Sequence, residues 1–179
     1  MSALGITKRV LAPAFIGVVG AVIGFNEGYS TSAYLDSAGV PTVCYGSTVG
    51  VKYPSTVTDS ECTARLKSDL ESHLKALDEL PDDLPDPVVL GSIDFAYNIG
   101  VSGFKNSSVH SALLRKDYRA ASANVLKWRF ITVNGRKYDC SVQGNTVCYG
   151  LWKRRLWQSK AIGNSYNTLN EAKQGLLNE

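Results

Sequence analysis

The 179-residue sequence lacks a run of about twenty apolar residues, an internal repeat and a large excess of one charge. The first absence excludes a conventional membrane span. A net charge of +3 gives no reason to expect a nucleic-acid partner, although it suits a mildly anionic polymer. With 44% apolar and 20% charged residues, the chain is not of the disordered class. Its length therefore predicts one compact domain, which we expect to be a monomer.

Metal ligands are also scarce, because the chain has two histidines and its four cysteines show no CxxC spacing. A usual zinc site is excluded, and neither a metal nor a cofactor is expected. The cysteines Cys44, Cys62, Cys140 and Cys148 are therefore expected to form disulfides, which require an oxidising compartment. The pairs Cys44–Cys62 and Cys140–Cys148 close the smallest loops of the three possible connectivities. The alternative is that all four are small buried residues of a cytosolic protein.

An uncharged, mostly apolar segment covers residues 10–25 and follows Lys8 and Arg9. This arrangement resembles an export signal, with a basic region before an apolar one. As a helix it would extend about 24 Å, which is less than the roughly 30 Å of a hydrocarbon layer. Proline and three glycines lower its hydrophobicity further. We expect a marginal membrane anchor, and the alternative is a buried first helix of the domain.

Elements can be predicted along the rest of the chain. Residues 28–57 are rich in Gly, Ser, Thr and Pro, which favours short strands and turns. Thr58 and Glu61 match a capping box, and an apolar residue every fourth position predicts a helix as far as Pro81. Asn134-Gly135 predicts a two-residue hairpin turn.

A second set of helices is expected after Pro81. Asp86 is expected as the N-cap of a buried helix that has Pro87 at its first position and ends at Gly100. Further helical patterns cover residues 107–115, 118–128 and 151–162.

Candidate chemistry follows the apolar segment directly. Eight residues separate Glu27 from Asp36, and five separate Asp36 from Thr42. With Glu27 at a helix end and the other two in the irregular lobe, two carboxyl groups and a hydroxyl can meet across a cleft. Glycoside hydrolysis needs one protonated carboxyl group and one ionised carboxylate. Apolar neighbours such as Phe25 would favour the protonated form of Glu27. The alternative is a pair of ordinary solvated surface carboxylates.

The pattern Glu27-x8-Asp36-x5-Thr42, set within FNEGY and AYLDSAGVPTVCYGST, resembles the catalytic segment of phage-type lysozymes of glycoside hydrolase family 24. The similarity continues at residues 59–70, 92–104 and 148–155 and so covers nearly the whole chain. Within the family, the sequence is most similar to signal-arrest-release endolysins of phages that infect Gram-negative bacteria, which share the weak N-terminal anchor and the TVCYG element.

This resemblance implies an α+β, mostly helical lysozyme-like fold with a small β-rich lobe beside the active-site cleft. It implies that Glu27 is the general acid, that Asp36 orients or activates a water and that Thr42 helps to hold this water in an inverting reaction. The substrate implied is the β-1,4 bond between N-acetylmuramic acid and N-acetylglucosamine in peptidoglycan. Residues 1–26 would be the signal-anchor segment and residues 27–179 the catalytic domain.

Two further residues are candidates for substrate contact. Tyr45 can stack on a sugar face or pack on the core, and Asn98 matches a family position that lines the cleft or makes a helix-end hydrogen bond. Two positions depart from the family pattern. Ser47 stands where His is usual, and Gln158 stands where Glu is usual, a change expected to affect helix packing. The pair Arg154-Arg155, which precedes Gln158, is expected to stabilise a helix or a carboxylate.

The implied location is the host periplasm, with an initial tether in the inner membrane through residues 10–25. The implied partner is the peptidoglycan glycan strand. Two alternatives remain open at this point. One is a lytic transglycosylase, for which a single acid suffices, and the other is a non-catalytic, membrane-tethered module that binds peptidoglycan.

Overall fold

The structure is a computed structural model that describes residues 4–36 and 39–178. Its first helices are α1 (Leu4–Val10), α2 (Pro13–Glu27), α3 (Asp59–Leu74) and α4 (Asp86–Ile99). The later helices are α5 (Val101–Lys105), α6 (Ser108–Leu114), α7 (Tyr118–Val125), α8 (Tyr149–Ile162) and α9 (Leu169–Leu177). The strands are β1 (Ser30–Leu35), β2 (Pro41–Cys44), β3 (Phe130–Val133) and β4 (Arg136–Asp139).

The strands form two separate antiparallel hairpins. In the first, Tyr34 of β1 lies opposite Thr42 of β2, so the predicted β-rich lobe is present between α2 and α3. In the second, Asn134 and Gly135 connect β3 to β4 with φ angles of 50° and 75°. Both angles are in the left-handed region that a tight hairpin turn needs, and this explains the Asn-Gly pair. The α+β, mostly helical class is confirmed.

The core is formed by apolar faces of the helices around α4. The capping box between Thr58 and Glu61 starts α3 as predicted, and the apolar stripe of α3 is buried. Helix α4 is buried along most of its length, as expected for a central helix. The indole Nε1 of Trp157 on α8 donates to the carbonyl of Ala172, 2.7 Å away, which attaches α9 to the same core.

Several element boundaries differ from the sequence predictions. The N-cap of α4 is Pro85, not Asp86, because the Asp86 carboxylate pairs with Arg9 at 3.1 Å instead of capping the helix. Helix α7 ends at Val125 rather than at residue 128, because the following residues form tighter turns. The sequence did not predict α1, α5 and α9. Helices α1 and α5 have only seven and five residues, and α9 has a mostly polar surface.

The apolar segment at residues 10–25 is divided between two helices. Ala12 is extended, with a ψ of 141°, because the residue before a proline avoids the helical region, and Pro13 then starts α2. Phe15, Val19 and Ile23 are buried against the rest of the chain. Among the described residues, no helix is both long enough and apolar enough to cross a membrane. The segment thus packs in the same hydrophobic core as the other helices. The boundary at residue 26 between an anchor segment and a catalytic domain stays a prediction.

Both expected disulfides are present. Cys44–Cys62 joins the end of β2 to the first turn of α3, and both residues are almost completely buried. Cys140–Cys148 closes a short loop between β4 and the start of α8. Residues 1–3 of the proposed anchor segment and residues 37–38 of the lobe lie outside the described residues.

We predict that replacing Cys44 and Cys62 with Ala lowers the melting temperature more than replacing Cys140 and Cys148. The first pair is 18 residues apart and the second 8, so loss of the first frees more chain entropy in the unfolded state. In the chain-entropy model the losses are about 3 and about 2.5 kcal/mol, and buried Cys44 and Cys62 also lose packing. Differential scanning calorimetry of the two double variants measures this, and the reverse order would contradict it.

Candidate active site

Glu27 is the last residue of α2 and faces the body of the protein. The helix ends there because Gly28 adopts a φ of 87°, which favours glycine, and its N–H donates to the Gly24 carbonyl. The Glu27 carboxylate accepts a hydrogen bond from Arg154 Nη1 at 2.5 Å. Phe25 is 56% exposed and lines a cavity of about 390 Å³ beside α8. The expectation of an apolar environment around Glu27 is therefore wrong, since the side chain in direct contact with it is the cation Arg154.

Arg154 lies on α8 and connects Glu27 to a second carboxylate. Its Nε and Nη2 atoms donate to the two carboxylate oxygens of Asp94 on α4, at 3.0 and 2.9 Å. The Arg154 and Asp94 side chains are only 7% and 1% exposed. Burial acts to lower the pKa of Arg154, but attraction to Asp94 and Glu27 outweighs it and raises this pKa. A buried guanidinium ion thus stays charged between two carboxylates.

Two side-chain amides complete the surroundings of Asp94. Asn26 Nδ2 donates to one carboxylate oxygen at 3.1 Å, and Gln158 Nε2 donates to the other at 2.6 Å. Asn26 comes immediately before Glu27, so the end of α2 is bound to the interior at two consecutive residues. Gln158 is completely buried in this polar cluster. The departure at Gln158 therefore affects the charge network of the site as well as helix packing.

Arg155 extends the network to the surface. Its Nη1 donates to Gln158 Oε1 at 2.6 Å, and its Nη2 donates to Asn98 Oδ1 at 2.5 Å. Its Nε donates to the Trp128 carbonyl at 2.8 Å. Burial and then repulsion by Arg154 lower the pKa of Arg155 to about 10. Asn98 is exposed and held in one orientation by Arg155, and its contact with substrate stays a prediction.

The lobe holds Asp36 and Thr42 close together through one residue. Asp36 Oδ1 accepts from the backbone N–H of Val40 at 2.9 Å. The Thr42 hydroxyl donates to the Val40 carbonyl, also at 2.9 Å. Thr42 is 3% exposed and follows the turn directly. Because the hydroxyl proton is used in that bond, the oxygen lone pairs of Thr42 remain able to accept a hydrogen bond.

Tyr45 joins the lobe to the end of α2. A Cβ atom added to Gly24 would lie 3.0 Å from Tyr45 Cε1, so this helix face must be free of side chains for the ring to approach. The Tyr45 and Tyr29 ring centroids are 4.8 Å apart, and Tyr97 Oη donates to the Tyr45 carbonyl at 3.4 Å. The ring is half-buried, so it packs on the helix, and the predicted contact with sugar remains untested.

Two other residues near the lobe have structural contacts. Ser47, the other departure, is buried and donates to Asp69 Oδ2 at 2.5 Å, which attaches the lobe to α3. Tyr97 is stacked on His73, with centroids 4.6 Å apart. Burial, together with the charges of Asp69 and Glu27, raises the pKa of Tyr97 to about 12, so this phenol stays neutral.

Sequence reasoning did not identify Asp94 as part of the site. The available signal was a carboxylate in the middle of α4, a helix whose other residues are apolar or neutral except for Asp86 at its start. A charge on a buried helix needs a partner of opposite sign. The partner lies 60 residues away in Arg154, whose stabilising of a carboxylate was one of the two expectations for the Arg154-Arg155 pair.

The helical body, the small hairpin lobe and a glutamate at the end of the helix before it define a lysozyme-like fold. The same fold occurs in the endolysin from Escherichia coli O157:H7 phage FAHEc1, with a TM-score of 0.70, 24% identity and coverage of 84% of this chain and 94% of that one. A mutant P22 lysozyme gives a TM-score of 0.64, 25% identity and coverage of 80% and 94%.

The family model described as phage lysozyme matches residues 25–158. The chain belongs to this phage lysozyme family. A SAR-endolysin of Bacteriophage PS34 is 31% identical over 106 residues, which are 58% of this chain and 64% of that protein. An endolysin of Acyrthosiphon pisum secondary endosymbiont phage 1 is 31% identical over 72% of this chain and 84% of its own length. The chain thus spans slightly less than two thirds of the SAR-endolysin.

We predict that Arg154→Ala destabilises the protein by about 3 to 5 kcal/mol, because it leaves the Asp94 carboxylate buried without a cation. The neighbouring variant Lys153→Ala is the control, since Lys153 is exposed and its loss should change the free energy of unfolding by less than about 0.5 kcal/mol. Urea unfolding measures both values. Equal stability of the two variants would contradict the electrostatic role of Arg154.

Proposed function

We propose that this protein is an endolysin that hydrolyses the β-1,4 bond between N-acetylmuramic acid and N-acetylglucosamine in peptidoglycan. The observation that carries the proposal is the position of Glu27, at the end of α2 and directly before the hairpin that holds Asp36 and Thr42. In this proposal, the acid on the helical body and the carboxylate and hydroxyl on the lobe act from opposite sides of a cleft. Membership in the phage lysozyme family supports the same reaction.

In the proposed inverting reaction, protonated Glu27 donates its proton to the glycosidic oxygen of the leaving sugar as the C–O bond breaks. A water molecule attacks the anomeric carbon from the opposite face, and Asp36 takes the proton of this water. Thr42 accepts a hydrogen bond from the water through the lone pairs that its bond to Val40 leaves available. Arg154 contacts Glu27 throughout and fixes the direction of its carboxyl group.

The paired arrangement of Asp36 and Thr42 favours hydrolysis over the two alternatives. A lytic transglycosylase closes the muramic acid ring on itself and needs no residues that hold a water. A binding module needs no acid in a fixed orientation. In this chain, Val40 holds the carboxylate of Asp36 and the hydroxyl of Thr42 together, as a water-binding pair requires.

We predict that Glu27→Gln reduces hydrolysis at least about 100-fold, because the amide has no acidic proton to donate. The protein should still fold, since Arg154 keeps its two bonds to the Asp94 carboxylate. Asp36→Asn should also lose most activity, and Thr42→Ala should lose activity because the water is less well positioned. Mass spectrometry of the products released from purified peptidoglycan measures the activity of each variant. The unaltered chain should release products that end in reducing muramic acid.

The control for this series is Glu71→Gln, which removes an exposed carboxylate on α3 and should leave the rate unchanged. Anhydro-muramic acid among the products would indicate a transglycosylase. Binding without any product from the unaltered chain would indicate a binding module, and full activity of Glu27→Gln would refute the assignment of the acid.

The protein is further proposed to act in the host periplasm after transient insertion of residues 10–25 in the inner membrane. Up to residue 25, the solvent-facing side of α2 supports this, because Ala14, Gly17, Ala21 and Phe25 are exposed and none is polar. A helix that is apolar on all sides is unusual at a protein surface. The two disulfides agree with an oxidising compartment. The names of the SAR-endolysin relatives point to the same route.

Contacts at both ends of the segment require it to leave the membrane before the site assembles. Arg9 pairs with Asp86 at 3.1 Å and donates to the Leu84 carbonyl at 2.8 Å, so this cation lies against the start of α4. At the other end, Asn26 is bound to Asp94 of the same helix. If the segment spans the membrane with Arg9 in the cytoplasm, these two contacts cannot both form. The inserted state therefore lacks the Glu27 site.

We predict that the double variant Gly17→Leu, Ala21→Leu stays longer in the membrane and delays lysis. Both positions are exposed, and Gly17 has no atom within 4 Å of an added Cβ, so the folded enzyme has room for the change. Gly20 and Gly24 are left unaltered because a Cβ there would lie 3.0 Å from Leu66 and Tyr45. Membrane fractionation and the time of lysis are the measurements.

The matched control is Gly17→Gln, Ala21→Gln, which adds side chains of similar length but opposite polarity. This variant should leave the membrane earlier than the unaltered chain. Identical fractionation of the Leu and Gln variants would indicate that residues 10–25 act only as core helices.

A further inference from the structure

We propose that Asp94 is a positioning residue for the reaction, a buried carboxylate that holds Arg154 towards Glu27 and balances its charge while Glu27 is protonated. The inference rests on the proposed role of Glu27 as the general acid. Asp94 is 1% exposed and so acts through Arg154 rather than by touching the substrate.

The first argument is geometric. A guanidinium group is planar and its five N–H bonds have fixed directions. Asp94 accepts from Nε and Nη2 of Arg154 at 3.0 and 2.9 Å, which fixes the plane of the group. The remaining nitrogen, Nη1, then points at Glu27, 2.5 Å away. The direction of the Glu27 carboxyl group is thus set by Asp94 through a rigid intermediate.

The second argument concerns charge. Glu27 must carry a proton to act as an acid, and at that moment it no longer balances the charge of Arg154. A buried cation without a counter-ion is strongly unfavourable. Asp94 supplies a carboxylate that remains beside Arg154 in both states of Glu27. Protonation of Glu27 therefore leaves a neutral buried pair, which makes the acidic form accessible without disrupting the interior.

The third argument is that Asp94 is itself held in place. Asn26 on α2 and Gln158 on α8 donate to its two oxygens, at 3.1 and 2.6 Å. Gln158 is oriented in turn, because its Oε1 accepts from Arg155. Because Gln158 donates to the Asp94 carboxylate, the amide and the carboxylate can be exchanged between these two positions. In the double variant Asp94→Asn, Gln158→Glu, the amide at 94 donates to the carboxylate at 158, so the charge moves by one hydrogen bond.

The experiment compares Asp94→Asn with this double variant, using soluble glycan strands from peptidoglycan. In Asp94→Asn, kcat should fall at least tenfold with little change in KM, since Glu27 becomes the counter-ion of Arg154. The alkaline limb of the kcat profile should move to lower pH, because the charge of Arg154 is then balanced by Glu27 alone. The other charged or titratable groups facing this cluster, Tyr97 on α4 and Arg155 on α8, are unaltered. The double variant should restore the alkaline limb and recover part of kcat, because the cluster regains its carboxylate while Arg154 Nε loses its acceptor.

The melting temperature of each variant separates this role from a purely structural one. Activity loss that only follows the unfolded fraction, with an unshifted pH profile, would overturn the proposal. If Asp94→Asn does not fold, the double variant decides, since it keeps the number of charges in the cluster and, of the two hydrogen bonds from Arg154 to this side chain, the one from Nη2. A folded but inactive double variant counts against the proposal. Glu27→Gln is assayed in parallel: if it is active, the proposed function fails, whereas if it is inactive and Asp94→Asn is normal, only the role of Asp94 fails.

Discussion

The buried guanidinium group of Arg154 is the constraint on which the site depends. Its contacts to Glu27 and Asp94 join the end of α2, the middle of α4 and the first half of α8. A charge removed from water must be paired, so these three helices cannot move apart without exposing or unpairing an ion. The lobe is attached to the same helix end through Tyr45. The relative position of acid and lobe therefore depends on this buried cation, on the Tyr45 contact, and on the disulfide and the Ser47 hydrogen bond that attach the lobe to α3.

Features determined by neighbouring residues could be predicted from the sequence. The capping box fixed the start of α3, Asn134-Gly135 fixed the second hairpin, and the short loops gave both disulfide pairs. The pairing of Asp94 with Arg154 could not be predicted, because 60 residues separate them and only packing of α4 on α8 brings them together. The prediction of Asp86 as the N-cap of α4 was wrong for a similar reason, since the distant residue Arg9 pairs with the Asp86 carboxylate.

The environment of Glu27 shows how adjacency in sequence differs from adjacency in space. Phe25 is two residues before Glu27, a spacing that places side chains on different faces of a helix. Phe25 therefore faces the solvent and the cavity beside α8, whereas Glu27 faces Arg154. Residues three or four positions earlier share its face, and there Gly24 leaves room for Tyr45.

The glycines of α2 connect its packing with its proposed passage through the membrane. Gly20 and Gly24 have no side chain where Leu66 and Tyr45 approach, so larger residues at these positions would separate the helix from α3 and the lobe. The same absence of side chains lowers the hydrophobicity of the segment and so weakens its hold on a bilayer. Leucine at position 20 or 24 would both strengthen the membrane anchor and disrupt the packing of the folded site. A segment that must leave the membrane and then pack tightly therefore benefits from small residues on its buried face. At Gly17 an added Cβ would meet no atom within 4 Å, so a larger side chain there should affect the membrane step alone.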